Sequence, residues 1–99
     1  MSLTRNYRPH AHESITVDNT VGGVGITATL IPQTMKAVLT LETAQVRYTV
    51  DGTAPTTSVG HLLEVGDALE LDEQREIVNF KAIRTGSTSG TLKATYYKA

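Results

Sequence analysis

The chain has 99 residues, a formal net charge of −1 at pH 7, and neither cysteine nor tryptophan. This length predicts one domain with one hydrophobic core, built mainly from aliphatic side chains because aromatic residues make up only 5%. The lack of cysteine excludes disulfides and thiolate metal sites, and the near-neutral charge gives no global field that favours nucleic acid. No apolar run approaches the ~18 residues of a transmembrane helix, so we expect no membrane partner.

The N-terminal segment differs from the rest of the chain because residues 1–13 show no usable hydrophobic periodicity. Pro9 favours an extended backbone at the residue before it, which predicts an extended arm over 1–13 ahead of a single domain at 14–99. Three residues of this arm are suited to contact with a partner: Arg5, Tyr7 and Arg8. We expect the arm to lie across a neighbouring molecule, with the arginines directed toward carboxylates.

Alternation of apolar and polar residues predicts short strands along the remaining chain. They are expected at 14–18, 25–31, 36–42, 46–50, 61–63, 68–71, 77–84 and 91–97. Acidic residues favour one helical turn at 72–77, the only helix candidate. Seven or eight strands separated by turn signals predict an all-β antiparallel sandwich, in which the last two strong strands pair as a hairpin.

The predicted core consists of the apolar residues on one face of each strand. They are Ile15, Val17, Ile26, Ala28, Leu30, Leu39, Leu41, Val46, Tyr48, Val50, Leu69, Leu71, Val78, Phe80, Ala82, Leu92, Ala94 and Tyr96. Because a shift of one residue would move a whole strand's apolar set to the other face, this assignment predicts register as well as burial.

Residues 46–57 combine a half-buried strand with a rigid corner. Apolar and polar side chains alternate from 46 to 50, as they do in a strand with one buried face. Asp51 and Gly52 then predict a turn with a positive φ at the glycine, and Pro55 cannot continue a strand ladder. We therefore expect these three residues to be structural.

Residues 44–56 resemble the YTxDGxxPT motif of small immunoglobulin-like modules, such as the C-terminal domain of chitobiases. This resemblance implies an immunoglobulin-like sandwich of the kind attached to carbohydrate-active enzymes. Over most of its length the chain also resembles small proteins encoded among the virion structural genes of tailed bacteriophages. The residues that carry this second resemblance are 14–20, 46–61, 77–86 and 89–97.

Six carboxylates form a predicted acidic belt near the middle of the chain: Glu64, Asp67, Glu70, Asp72, Glu73 and Glu76. Arg75 is the only basic residue among them. One interpretation is a solvated surface, and the other is a contact surface for the basic arm of a neighbouring copy. Since an exposed ion pair contributes only ~0–1 kcal/mol, burial and strand addition would have to supply most of the affinity in the second case.

Candidate reactive groups are few. The glycine-rich residues 21–25 precede a strand-like sequence rather than a helix, which indicates a turn and not a phosphate loop. His10 and His12 project to one side of an extended segment, but a structural metal site needs about four ligands. A catalytic pair in the acidic belt would need a cleft and, for sugars, an aromatic platform. We therefore predict no catalytic residue, no cofactor and no bound metal.

The resemblance and the lack of a catalytic pattern together predict a non-enzymatic virion protein. It is expected to decorate or stabilise a phage capsid through self-association and capsid binding, after assembly in the cytoplasm of the bacterial host. A neck or tail component is the alternative within the virion. A carbohydrate-binding accessory module is a second alternative, with Tyr7 and Tyr97 as the candidate exposed aromatic residues.

Overall fold

A computed structural model describes residues 7–99, which form two antiparallel β-sheets around one core. The strands in this range are β1 (Arg8–Val17), β2 (Lys36–Glu42), β3 (Val46–Thr49), β4 (His61–Leu63), β5 (Ala68–Leu71), β6 (Lys81–Arg84) and β7 (Gly90–Lys98). A 3-10 helix lies at Ala28–Leu30 and an α-helix, α1, at Gln74–Asn79. One sheet has the order β1-β7-β2-β5 and the other β4-β3-β6, which confirms the predicted all-β sandwich.

The order of the strands differs from that of an immunoglobulin domain. A constant-type immunoglobulin domain has the sheets ABED and CFG, whereas here the last strand, β7, lies between β1 and β2. The observed order matches a jelly roll with sheets BIDG and CHEF, in which β1 corresponds to strand B and β7 to strand I. Strand C is reduced to one antiparallel bridge between Val24 and Ala82 beside β6. Alternation in the sequence predicts the strands and their buried faces, but it does not predict which strands pair. The observed strand order is therefore that of a jelly roll and not the expected immunoglobulin-like order.

Strand β1 begins at Arg8, six residues before the predicted start of the first strand at 14. It pairs with β7 along its length, with a shift of register between Pro9 and Ala11. Residues 8–13, which the sequence assigns to the arm, are therefore part of the four-stranded sheet. The shift adds a residue to β1, and this breaks the period-two pattern by which the strand would have been recognised.

The predicted strand at 25–31 is an irregular connection that contains the 3-10 helix. Ile26 is buried as predicted, but Ala28 is exposed and Leu30 is only half-buried. Val24 and Ala82 exchange two backbone hydrogen bonds, of 2.7 and 2.9 Å, and the pairing continues no further. The alternation of threonine with apolar residues in this segment is typical of a strand, but beyond the single Val24–Ala82 bridge the segment pairs with no strand in the described range.

Residues 77–84, predicted as one strand, divide into the end of α1 and strand β6. Ile77 and Phe80 are fully buried, whereas Val78 is 50% exposed, so the buried positions are three residues apart as in a helix. The backbone becomes extended at Phe80, where α1 ends. The predicted hairpin of the last two strands is wrong, because β6 pairs with β3 and β7 pairs with β1 and β2.

The core contains most of the side chains that the sequence predicts. The predicted residues that are buried are Ile15, Val17, Ile26, Leu39, Leu41, Val46, Leu71, Phe80, Ala82, Leu92, Ala94 and Tyr96. Four more pack against this cluster while half-buried: Leu30, Tyr48, Val50 and Leu69. Ala28 and Val78 do not belong to it, and Ala37, Leu63 and Ile77 are buried members that the predicted core omitted.

Candidate functional site

The predicted arm residues have different positions relative to the sheet. Tyr7 is half-buried immediately before β1, and Arg5 lies outside the described residues. Arg8 is exposed at the start of β1, where its guanidinium Nη2 donates a hydrogen bond to the carbonyl oxygen of Ala99 at 3.0 Å. The first basic side chain of the sheet therefore lies beside the C-terminal end of the chain.

Two polar side chains, His10 and Glu13, attach β1 to its own domain. The Nε2 atom of His10 lies 3.0 Å from the hydroxyl of Thr34, which is fully buried. The carboxylate of Glu13 accepts hydrogen bonds from the Tyr96 hydroxyl and from the backbone N–H of Thr27, the latter at 3.2 Å. Burial, together with this carboxylate, raises the pKa of Tyr96. Only the backbone edge of β1 and its outer face therefore remain for contact with a neighbour.

The acidic belt follows the chain from the β4–β5 turn to the first turn of α1. Glu64 and Asp67 close the β4–β5 turn, with the Asp67 carboxylate 2.9 Å from the backbone N–H of Glu64. Glu70 lies on β5, 3.3 Å from the ammonium group of Lys36. The remaining carboxylates surround the start of α1: Asp72, Glu73 and Glu76. Within residues 7–99, no three histidine or carboxylate side chains are grouped closely enough to hold a metal ion.

Residues 8–13 of the predicted arm and Glu70 of the acidic belt lie on opposite edges of the same sheet. Strands β1 and β5 are the two outer strands of the order β1-β7-β2-β5. Three strand spacings of ~4.8 Å separate them, or roughly 14 Å. The structure therefore does not bring together, within one chain, the residues of β1 and β5 that the sequence predicts as partners.

Neither outer strand has a second neighbour in the part of the chain that the structure describes. Apart from the sheet ladders, the backbone groups of β1 and β5 make no hydrogen bond to other backbone groups between residues 7 and 99. An outer strand of this kind presents a row of N–H and C=O groups to which a further strand can pair. The two outer strands are therefore candidate contact surfaces.

The corner that follows β3 forms an open pocket of about 300 Å³. Its lining residues are Thr49, Val50, Asp51, Thr53, Val59, Gly60 and His61. The His61 ring lies against Tyr48, with a distance of 5.5 Å between ring centroids. No pattern in the sequence predicts this pocket, although Asp51 and His61 lie on either side of the loop that forms it.

Hydrogen bonds hold the corner in one shape. Gly52 has φ +91°, which confirms the predicted positive φ. The Asp51 carboxylate accepts the backbone N–H of Thr53 at 3.0 Å, and this bond is the main reason that the pKa of Asp51 is lowered. The guanidinium of Arg47 donates to the carbonyl of Gly60 at 2.8 Å, and Pro55 is buried. Hydrogen bonds within the chain therefore hold both sides of the corner.

No protein-family model, curated protein or solved structure matches the chain. In the described range, no helix has the length and apolar character needed to cross a membrane. The resemblances to phage virion proteins and to the chitobiase-type module thus remain predictions from the sequence. The structure itself offers two sheet edges and one corner pocket as candidate contact sites.

Proposed function

We propose that this chain is a non-enzymatic structural protein of a tailed-phage virion, which decorates and stabilises the capsid through self-association and binding to a capsid protein. The observation that carries self-association is the pair of outer strands in one sheet that, within residues 7–99, have no second strand as a neighbour. One of them bears basic side chains and the other an acidic one. The virion setting rests on the sequence resemblance. The jelly-roll strand order agrees with it, since viral capsid domains also use this architecture.

In this proposal the contact residues are those at the two edges. Arg8 on β1, with Tyr7 before it, faces the carboxylates of another copy or of the capsid protein. Arg5 joins them in the proposal as a residue of the same basic segment. Because exposed ion pairs contribute little, the carboxylates select the partner and orientation, and the backbone edge supplies the contact area.

The test is the protein composition of purified virions. We expect mass spectrometry of gradient-purified particles to find the chain at a copy number comparable to that of a structural protein. Separation of heads from tails before the measurement distinguishes capsid decoration from the alternative of a neck or tail component. Absence of the chain from intact particles would refute the proposal.

The corner pocket favours a second candidate function, that of a carbohydrate-binding accessory module. The residues that line the pocket include Asp51, His61 and Thr53 beside two valines, a mixture of polar and apolar residues suited to a small polyol. A glycan array followed by NMR titration tests it, with Asp51→Ala expected to abolish binding. Asp67→Ala, which alters an exposed turn aspartate outside the pocket lining, is the control. An array without hits removes this candidate.

A further inference from the structure

We propose that copies of this chain join edge to edge, with β5 of one copy adding to β1 of the next. In this join, the rows of directly paired residues that cross the four-stranded sheet of one copy continue into the sheet of the next copy without a shift of register. This inference deepens the proposed function by naming the surface of self-association. It rests on self-association alone and does not depend on the virion setting.

The directions of the strands favour this join. All pairings in the four-stranded sheet are antiparallel, from β1 to β7, from β7 to β2 and from β2 to β5. After three reversals β5 runs opposite to β1. A neighbour that continues the sheet in the same orientation therefore brings β5 and β1 together as an antiparallel pair, which is the more stable kind of pairing.

The register places complementary side chains next to each other. One row crosses the sheet through the paired residues His12, Thr95, Val38 and Glu70. When the row continues into the next copy without a shift, Glu70 lies beside the neighbour's copy of His12, and both are exposed on the outer face. A second row on the same face crosses the sheet from Ser14 to Ala68. When this row continues into the next copy, Ala68 lies beside the neighbour's copy of Ser14.

Charge argues against pairing of two β5 strands. This strand has four residues, so an antiparallel β5–β5 pair would hold two copies of Glu70 close together, next to Asp72 of each copy. Like charges at neighbouring positions of a sheet destabilise the pairing. A β1–β5 join instead gives the acidic edge a neighbour that carries Arg8 and His12.

The experiment introduces one cysteine at each edge of a chain that has none. Ser14→Cys with Ala68→Cys places thiols on the row that the join would bring into contact. Within one chain these positions are roughly 14 Å apart across the sheet, which is beyond the reach of a disulfide. We expect mild oxidation to give a ladder of covalent oligomers, or a closed ring, on a non-reducing gel.

The controls identify which strands meet. Thr16→Cys with Ala68→Cys moves one thiol two residues along the same face, and we expect it to cross-link about tenfold more slowly. Ser14→Cys alone should give no covalent dimer on the non-reducing gel. Rapid dimerisation of this single variant would mean that β1 pairs with β1, and equal rates for the two double variants would mean that the rows do not continue; either result overturns the proposal.

Charge exchange provides an independent readout on the same double-cysteine chain. Glu70→Lys should slow cross-linking several-fold, and so should His12→Glu, whereas the two together should restore much of the rate. The combined variant still lacks the ion pair between Lys36 and Glu70. A restored rate of cross-linking would therefore be due to the contact between copies and not to that ion pair. No slowing by either variant would contradict the register. A ladder formed by a chain absent from virions would leave the join intact and remove only the virion proposal.

Discussion

Substitutions of Ile77, Val78 and Phe80 test whether residues 77–80 form the end of a helix or part of a strand. Ile77 and Phe80 are fully buried and Val78 is 50% exposed. In a strand, Val78 and Phe80 would share the buried face and Ile77 would lie on the other one. Alanine at each position therefore distinguishes the two conformations by the pattern of destabilisation.

The burial of each side chain sets the expected magnitude. Phe80→Ala should lower the free energy of unfolding by ~3–5 kcal/mol, and Ile77→Ala by ~2–5 kcal/mol, because each leaves a cavity. Domains of this kind unfold with ~5–15 kcal/mol, so the loss at Phe80 could be a third or more of the total. Val78→Ala should change the free energy by less than ~0.5 kcal/mol, because exposed area is lost while the helix propensity improves.

Urea unfolding followed by circular dichroism measures these differences when the variants keep the same m-value. Phe80→Leu serves as the control for cavity formation, because it retains most of the volume and should cost less than ~1.5 kcal/mol. If Val78→Ala is as costly as Phe80→Ala while Ile77→Ala is neutral, the helix is refuted and residues 77–80 form a strand.

Three further predictions concern the corner, the core and the N-terminus. Gly52→Val should lower the free energy of unfolding by about 1–2 kcal/mol because of the positive φ, whereas Gly86→Ala, with equally open space and no positive φ, should not lower it in the same urea assay. Since the pKa of Tyr96 is raised above 10.0, its contribution to stability is complete below about pH 10 and is lost as the pH rises further; Tyr96→Phe should remove this alkaline loss in unfolding curves at pH 9 and 11. Deletion of residues 1–12, which removes half of β1, should lower the thermal midpoint relative to deletion of residues 1–6; equal midpoints would contradict the pairing of residues 8–12 with β7.

The sequence predicts those strands well that have one regular buried face and a clear turn at each end. The predicted ranges 36–42, 61–63 and 68–71 agree with β2, β4 and β5 at both ends. Alternation is insufficient where a bulge shifts the phase, as between Pro9 and Ala11, or where a helix ends within an apolar segment, as α1 does. In both places the local backbone departs from a regular strand, and the two-residue periodicity of apolar side chains does not reveal such a departure.

The two sheet edges and the corner pocket depend on contacts between separate segments of the chain more strongly than the individual strands do. Charge alone identified the basic segment and the acidic belt. The placement of residues 8–13 and of Glu70 at the two edges of one sheet follows from β7 lying between β1 and β2, and no local pattern specifies that order. The corner pocket has a similar origin, because it needs His61 and Asp51 to meet across the loop that Arg47 holds closed.

The two edges also carry features that limit how far strands can pair in the proposed join. On β1, Pro9 and the adjacent bulge interrupt the edge, and both features discourage strand addition. On the other edge, the backbone N–H of Asp72 is already bound to the Glu76 carboxylate at 3.1 Å, immediately after β5 ends. Asp72 follows Leu71, whose row ends at Ala11, so both interruptions lie at the same end of the sheet. A join of limited length with matching ends has one favoured register, whereas an uninterrupted polar edge would allow the strands to slip and aggregate.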